Sequence, residues 1–277
     1  MVVRRPNPSS KTSNSGYNPH RMSTQLHHQL RPIGELDDAL HRRMFQLMAE
    51  NYDKVTPELF RYDLMKKQLA SLFFDDDNHL QGFTTYVVNP GGSGGQDYHI
   101  IFSGDTIIAP AYWGSQIMMQ SWCHTIGRII AADQDKTWYW YLMSKGHRTY
   151  MYLPLFFTHY HPALHPSPRE EALRAVASAV SACLFPRYWQ PEEGIVRFEQ
   201  SLGELQPELI EGAYQKRNKP HVAFFLEKNP GFYRGEELVC IAPLYPENLN
   251  RSARQWVELG METPLDAQYI GLESPAV

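Results

Sequence analysis

The sequence predicts an α/β chain of the α+β kind, a mixed and mostly antiparallel sheet flanked by helices, with a helical insertion near the C-terminus. Three observations predict it. "LASLFFDD" and "LQGFTTYVV" alternate like strands and are joined through "DDNH", so Leu69 to Val88 reads as a hairpin. A third strand, "YHIIFSGDTIIAP", runs directly into Ser115 to about Ala132, which has the length and apolar content of a buried helix. A fourth strand, "TWYWYLMS", follows that helix. Strands joined by a helical crossover are expected to be parallel neighbours, whereas the earlier ones are antiparallel.

The first acidic residue is Glu35, and everything before it is polar, basic and rich in Ser, Asn and Pro. Residues 1–34 are therefore expected to be a disordered tail. Their Arg- and Ser-rich, acid-poor composition also suits a transit peptide, although prolines interrupt an amphipathic helix; a chain effectively starting at Met22 is a further reading. Order is expected from 35 to 263 as a single domain, with an insertion at about 200–235 and a loosely ordered end at 264–277.

Leu36, Leu40, Met44, Leu47 and Met48 recur at helical spacing and predict the first helix. Thr56, Pro57 and Glu58 predict a capped second helix through about Lys67, with Leu59, Phe60 and Leu64 inward. The Gly-rich "NPGGSGGQD" links two strands and opens no helix, which makes it a hairpin tip rather than a phosphate loop. Past Pro166 a helix is expected with Ser167 as its cap, Pro168 in its first turn, and Leu173, Val176, Ala177 and Val180 buried. "GIVRFE" and "ELVCIAPL" are expected to be the last antiparallel pair. Between them Leu205 to Phe232 predicts two short helices, read either as the roof of a pocket or as extra core or a dimer contact.

Composition limits the function classes. The chain has 277 residues, a formal net charge of -4 and a sequence pI near 6.3, so no global basic field points to nucleic acid or an anionic membrane. Three separated cysteines, Cys123, Cys183 and Cys240, fit neither a disulfide framework nor a zinc ligand set. No apolar run reaches the roughly 18 to 20 residues that cross a bilayer, and the chain reads as soluble and cytoplasmic. His159, His161 and His165 lie close together, but two prolines and the lack of a neighbouring cysteine or carboxylate argue against a closed metal site, so no metal is expected.

The stretch "IIAPAYWGSQIMMQSW" turns a strand into a helix through a glycine, leaving backbone N–H groups at the helix start where an anion is favoured. Two N-terminal helices, three antiparallel strands, a helix opened by a Pro-x-Tyr-x-Gly turn, a further strand and an aromatic helix together resemble the GNAT superfamily of N-acyltransferases. In that family the turn is commonly Pro-x-Tyr-Arg-Gly-x-Gly-Ile-Gly, and its amides hold the pyrophosphate of coenzyme A. Pro110, Tyr112, Gly114 and Ile117 match, while Trp113 replaces the basic residue and Gln116 and Met118 replace the second and third glycines.

The resemblance implies an enzyme that moves an acyl group from a thioester to an amine by direct attack. It implies acyl-CoA or acyl-phosphopantetheine as co-substrate, and an amine acceptor that is a small molecule or a peptide. An acyl carrier protein is a further implied partner, because a pantetheine arm with one phosphate asks less of the altered turn; the oligomeric state stays open, a homodimer included. Ile108 and Ala109 are implied to pair with the pantetheine, and Tyr112, Trp113, Gly114, Ser115, Gln116, Ile117 and Met118 to line its phosphate end.

By a period of two, His99, Ser103 and Asp105 share a face, so Asp105 is the candidate to take the amine proton, with Ser103 beside it. A bulge at Gly104-Asp105 with a solvated carboxylate is the competing reading. Tyr152, chosen from Tyr150, Tyr152 and Tyr160, is the candidate donor of a proton to the leaving thiolate. His147 and Arg148 are candidates to meet a phosphate or a carrier-protein acid. Met118, Met119, Phe156, Phe157, Phe224 and Phe225 suggest an acyl slot larger than acetyl needs, or simply core. Two other classes remain: a thioester-binding scaffold without turnover, and a thioester hydrolase, for which no Gly-x-Ser-x-Gly elbow is present.

Overall fold

A computed structural model describes residues 25–95, 97–199 and 204–272. Strand β1 (His27–Pro32) leads through a short 3-10 turn into helix α1 (Asp38–Ala49), whose start is fixed by Asp37 accepting a hydrogen bond from Leu40 N at 2.8 Å. After the two-residue strand β2 (Tyr52–Asp53), helix α2 (Pro57–Leu64) begins with Thr56 accepting from Leu59 N and Pro57 in the first turn. Strands β3 (Leu69–Phe74), β4 (Leu80–Val88) and β5 (Tyr98–Ile108) then form the meander. Helix α3 (Ile117–Ile130) crosses over to β6 (Thr137–Ser144).

Two short helices, α4 (His147–Tyr150) and α5 (Tyr152–Phe156), precede the long α6 (Glu170–Leu184). The two-residue strands β7 (Trp189–Gln190), β8 (Ile195–Val196) and β9 (Glu204–Leu205) lead to α7 (Pro207–Gln215) and α8 (Pro220–Lys228), and the chain closes with β10 (Glu237–Pro243) and α9 (Arg251–Met261).

The main sheet runs β1-β3-β4-β5-β6-β10-β8-β7, and β2 pairs with β9 in a separate ribbon. Among the described residues only β5 and β6 are parallel in it, as the helical crossover requires. Alternation then sorts side chains to the two faces. Ile101, Trp140, Leu142 and Cys240 pack under α3 and α9, while Ile100, Tyr141, Val239 and Ile241 pack against α6, and Leu72 and Phe83 against α1 and α2.

Helices α3 and α9 approach at a pair of glycines. A Cβ on Gly127 would fall on the backbone oxygen of Val257, and one on Gly260 on that of His124. These are positions where only a missing side chain lets two backbones meet.

Four expectations are corrected. The tail set at 1–34 contains an ordered strand, because β1 finds the open edge of β3 and pairs from His27↔Phe74 to Pro32↔Leu69; residues 1–24 lie outside the described residues. The segment after 263 holds a 3-10 turn, Ala267–Ile270, anchored by buried Leu265 and Ile270; residues 273–277 lie outside the described residues. Leu59 points outward, 49% exposed, because α2 ends at Leu64 and buries only Phe60 and Leu64. Ser167 accepts from Arg169 N, and α6 starts at Glu170, past the expected cap.

Candidate functional site

The parallel strands β5 and β6 pair from Tyr98↔Thr137 to Phe102↔Tyr141 and then separate. Beyond that point β5 stays with β4 out to Ile108, and β6 stays with β10 out to Ser144. A wedge opens between two strands in the middle of the sheet, at their carboxyl ends, where open α/β sheets place ligands.

A bulge shapes one wall of the wedge. Against β4, Thr85 faces Gly104 and Phe83 faces Ile107, so β5 carries one residue more than its partner there. Asp105 takes up the excess with a left-handed φ of 42°. Strict alternation is broken at this residue, which corrects the expectation that Ser103 and Asp105 share a face. Ser103 stays under α3, its hydroxyl accepting from Trp140 Nε1 at 2.6 Å. Thr106 lies on that same side, its hydroxyl 2.7 Å from that of Thr84.

Asp105 turns toward the loop after α2. Its carboxylate is 3.9 Å from Lys67 Nζ, and the same ammonium is 2.9 Å from Asp63. Burial pushes the Asp105 carboxyl above its ordinary value, with Lys67 opposing that shift. Lys145 and Glu237, 3.4 Å apart, add further charge around it, and half-buried Tyr52 is pushed up by desolvation and by Asp105. The bulge thus holds a carboxylate with a raised pKa beside the open wedge.

A cleft of about 700 Å³ fills the wedge and its mouth. Thr106, Ile107 and Ile108 line one side, the turn residues Tyr112, Trp113, Gly114, Ser115, Gln116 and Met118 another, and His147, Arg148 and Tyr152 a third. Tyr52 and Lys216, far away in sequence, complete it. Asp105, Ala109 and Ile117 are not lining residues, although each adjoins one that is. Inward, the cleft narrows to a slot of about 40 Å³ between Ser103, Thr106, Met118, Met119, Trp122, Trp140, Leu142, Tyr152 and Phe156.

The turn itself needs Gly114, whose φ is +90°. Its C-terminal side opens α3, and the first-turn amides of a helix have no partner within it. Trp113 is 45% exposed, and its Nε1 donates to the Ile108 carbonyl at 3.0 Å. The Arg148 guanidinium lies over the indole, 4.2 Å from the ring centroid. His147 is pushed down to about 4 by burial and by the positive charges of Lys216, Arg148 and Lys219.

Tyr152 stacks on Phe156 and lines both the cleft and the slot. Burial raises its pKa, so the hydroxyl keeps its proton near neutrality. Tyr150, by contrast, is fully buried with its hydroxyl donating to Pro162 O, and Tyr160 is buried as well. Of the apolar residues considered for an acyl slot, Met118, Met119 and Phe156 line it. Phe157 packs on Trp122 and Trp140, and Phe224 and Phe225 pack on Tyr150. His161 pairs with Glu170 at 2.6 Å, and among the described residues no group of three or more His, Cys, Asp or Glu could hold a metal ion.

No protein-family model matches the chain, and no curated protein matches it. Solved structures do. One is a conserved protein of unknown function from Enterococcus faecalis described as a probable N-acyltransferase, at 12% identity over 48% of this chain with a TM-score of 0.34. The chain spans 33% of that protein's length. Another is a GNAT-family N-acetyltransferase from Escherichia coli in complex with CoA, at 11% identity over 47% of this chain and 67% of its own, with a TM-score of 0.31.

Proposed function

We propose that the protein is an N-acyltransferase that moves an acyl group from a pantetheine thioester to an amine. The observation that carries this reading is the wedge between β5 and β6, with an uncharged glycine turn and a helix start at its mouth and an apolar slot at its depth. A pantetheine arm is long, thin and amide-bearing, and a strand edge released from pairing offers it backbone partners. Once the indole of Trp113 moves aside, the backbone around Ile108 meets the arm and the thioester lies by Thr106.

The amine nitrogen attacks the thioester carbonyl, its proton passing to Asp105 directly or through one water, and the C–S bond breaks. The departing sulfur takes its proton from Tyr152, which burial keeps in the protonated form. Met118, Met119, Trp122 and Phe156 suit an apolar acyl group, and a slot of about 40 Å³ suits a short one. The donor is coenzyme A or a carrier-bound phosphopantetheine, and the acceptor is a small amine or a peptide amine.

Thiol release from acyl thioesters, followed with and without a panel of amines, tests this. Release that depends on the amine is the expected result. Release independent of any amine identifies a hydrolase instead. Thermal protection by thioesters with no release identifies a binding protein, the outcome to which the Trp113 to Ile108 bond at the cleft wall lends support.

A further inference from the structure

The residues from Pro110 to Met118 carry no charge, yet the donor proposed above ends in phosphate. Cations reach the cleft from elsewhere. Arg148, just after β6, and Lys216, at the end of α7 in the insertion, line it, and no Asp or Glu does. In a chain of net charge -4, this is a local reversal of sign. Among the described residues neither side chain has a carboxylate within ion-pair distance.

The geometry prepares Arg148 for an anion. Its guanidinium uses a flat face against the Trp113 indole, which leaves the N–H donors at its edge free. Stacking also limits the rotamers that would be lost on binding. An aromatic residue at 113 thus supplies a platform for a charge that comes from another segment.

We propose that Arg148 and Lys216 bind the phosphate of the thioester donor, the group common to coenzyme A and to a carrier-bound phosphopantetheine arm. This rests on the acyl-transfer reading of the same cleft. It makes the insertion part of the donor site rather than extra core, since α7 delivers Lys216 to the mouth. It also couples entry of the donor to Trp113, because an arm that pairs at Ile108 displaces the indole on which Arg148 rests.

The test compares kcat/KM for one acyl group carried by coenzyme A, by 4′-phosphopantetheine and by pantetheine, in wild type, Arg148→Gln and Lys216→Gln. Both phosphorylated donors are expected to be preferred over pantetheine by the wild type. Each substitution is expected to cut that preference by ~10-fold or more, the effect of losing one charge-assisted hydrogen bond. Arg148→Lys should keep part of it.

An unchanged preference in both glutamine variants overturns the proposal, as does an equal loss with all three donors, which would mark a structural role. Loss confined to coenzyme A also overturns it, assigning the side chains to the nucleotide's phosphates. Should the wild type turn over none of the donors, the acyl-transfer reading fails, and calorimetric binding of coenzyme A and of 4′-phosphopantetheine then decides this inference alone. Coenzyme A and 4′-phosphopantetheine both binding less tightly to Arg148→Gln supports it, and binding that is absent, unchanged or weakened for coenzyme A alone overturns it.

Discussion

The indole Nε1 of Trp113 donates to the carbonyl oxygen of Ile108 at 3.0 Å, closing a strand edge that the parting of β5 and β6 would otherwise leave open. A donor arm paired at Ile108 must break this bond and expose the indole. Binding of a non-hydrolysable acyl-CoA analogue is therefore expected to change intrinsic fluorescence in the wild type. In Trp113→Phe the change should be largely lost while binding persists. An undiminished change in that variant would place the response on one of the other tryptophans.

Asp105 and Lys67 make a pH-dependent pair. Burial raises the Asp105 carboxyl and Lys67 lowers it, so removing Lys67 lets the pKa rise further. A general base acts deprotonated, hence kcat/KM should rise with pH through the Asp105 pKa. In Lys67→Met that acidic limb should move to higher pH. Asp105→Asn should lower kcat by ~10²-fold or more and remove the limb. A limb that stays in Asp105→Asn would assign the proton transfer to another group.

The glycine contact between α3 and α9 governs how the helix behind the turn is held. Gly127→Ala or Gly260→Ala forces the helices apart, and each is expected to cost ~2–3 kcal/mol in denaturant unfolding. Gly114→Ala meets no neighbouring atom, so only its positive φ matters, and ~1 kcal/mol is expected. Equal costs at the three sites would contradict the difference between crowding and strain.

His28 is pushed down from 6.5 to about 4 by burial and by the charges of His124 and Arg128. The unfolded chain binds its proton first, so stability falls as the pH drops from about 6.5 toward 4. Between pH 7 and pH 5 the loss from this residue is ~1–2 kcal/mol. His28→Gln should reduce the pH dependence of the unfolding free energy in that window, measured by urea titration at each pH.

The hairpin, the crossover and the parallel pair were legible because period-two strands and a single long apolar helix are local patterns. β1 was not, since "HHQLRP" has no apolar alternation and becomes a strand only through the free edge of β3. The face of Asp105 was misread for a related reason. A bulge is set by the partner strand, so the letters Gly104-Asp105 allowed it only as the competing reading, and the one-residue excess against Phe83 and Thr85 decides for it. Tyr52 and Lys216 reach the cleft from distant segments, which no local spacing encodes. By contrast, Trp113, Gly114, Ser115, Gln116 and Met118 reach it together because one turn carries them all.

The central claim is that the parting of β5 from β6 is the donor's place. Hydrogen exchange read by mass spectrometry, with and without an acyl-CoA analogue, tests it most directly. Slower exchange confined to peptides covering Thr106–Met119 and Gly146–Tyr152 is the predicted result. Protection that spares both, or that falls instead on the separate groove around His161, Glu170 and Trp189, would contradict it.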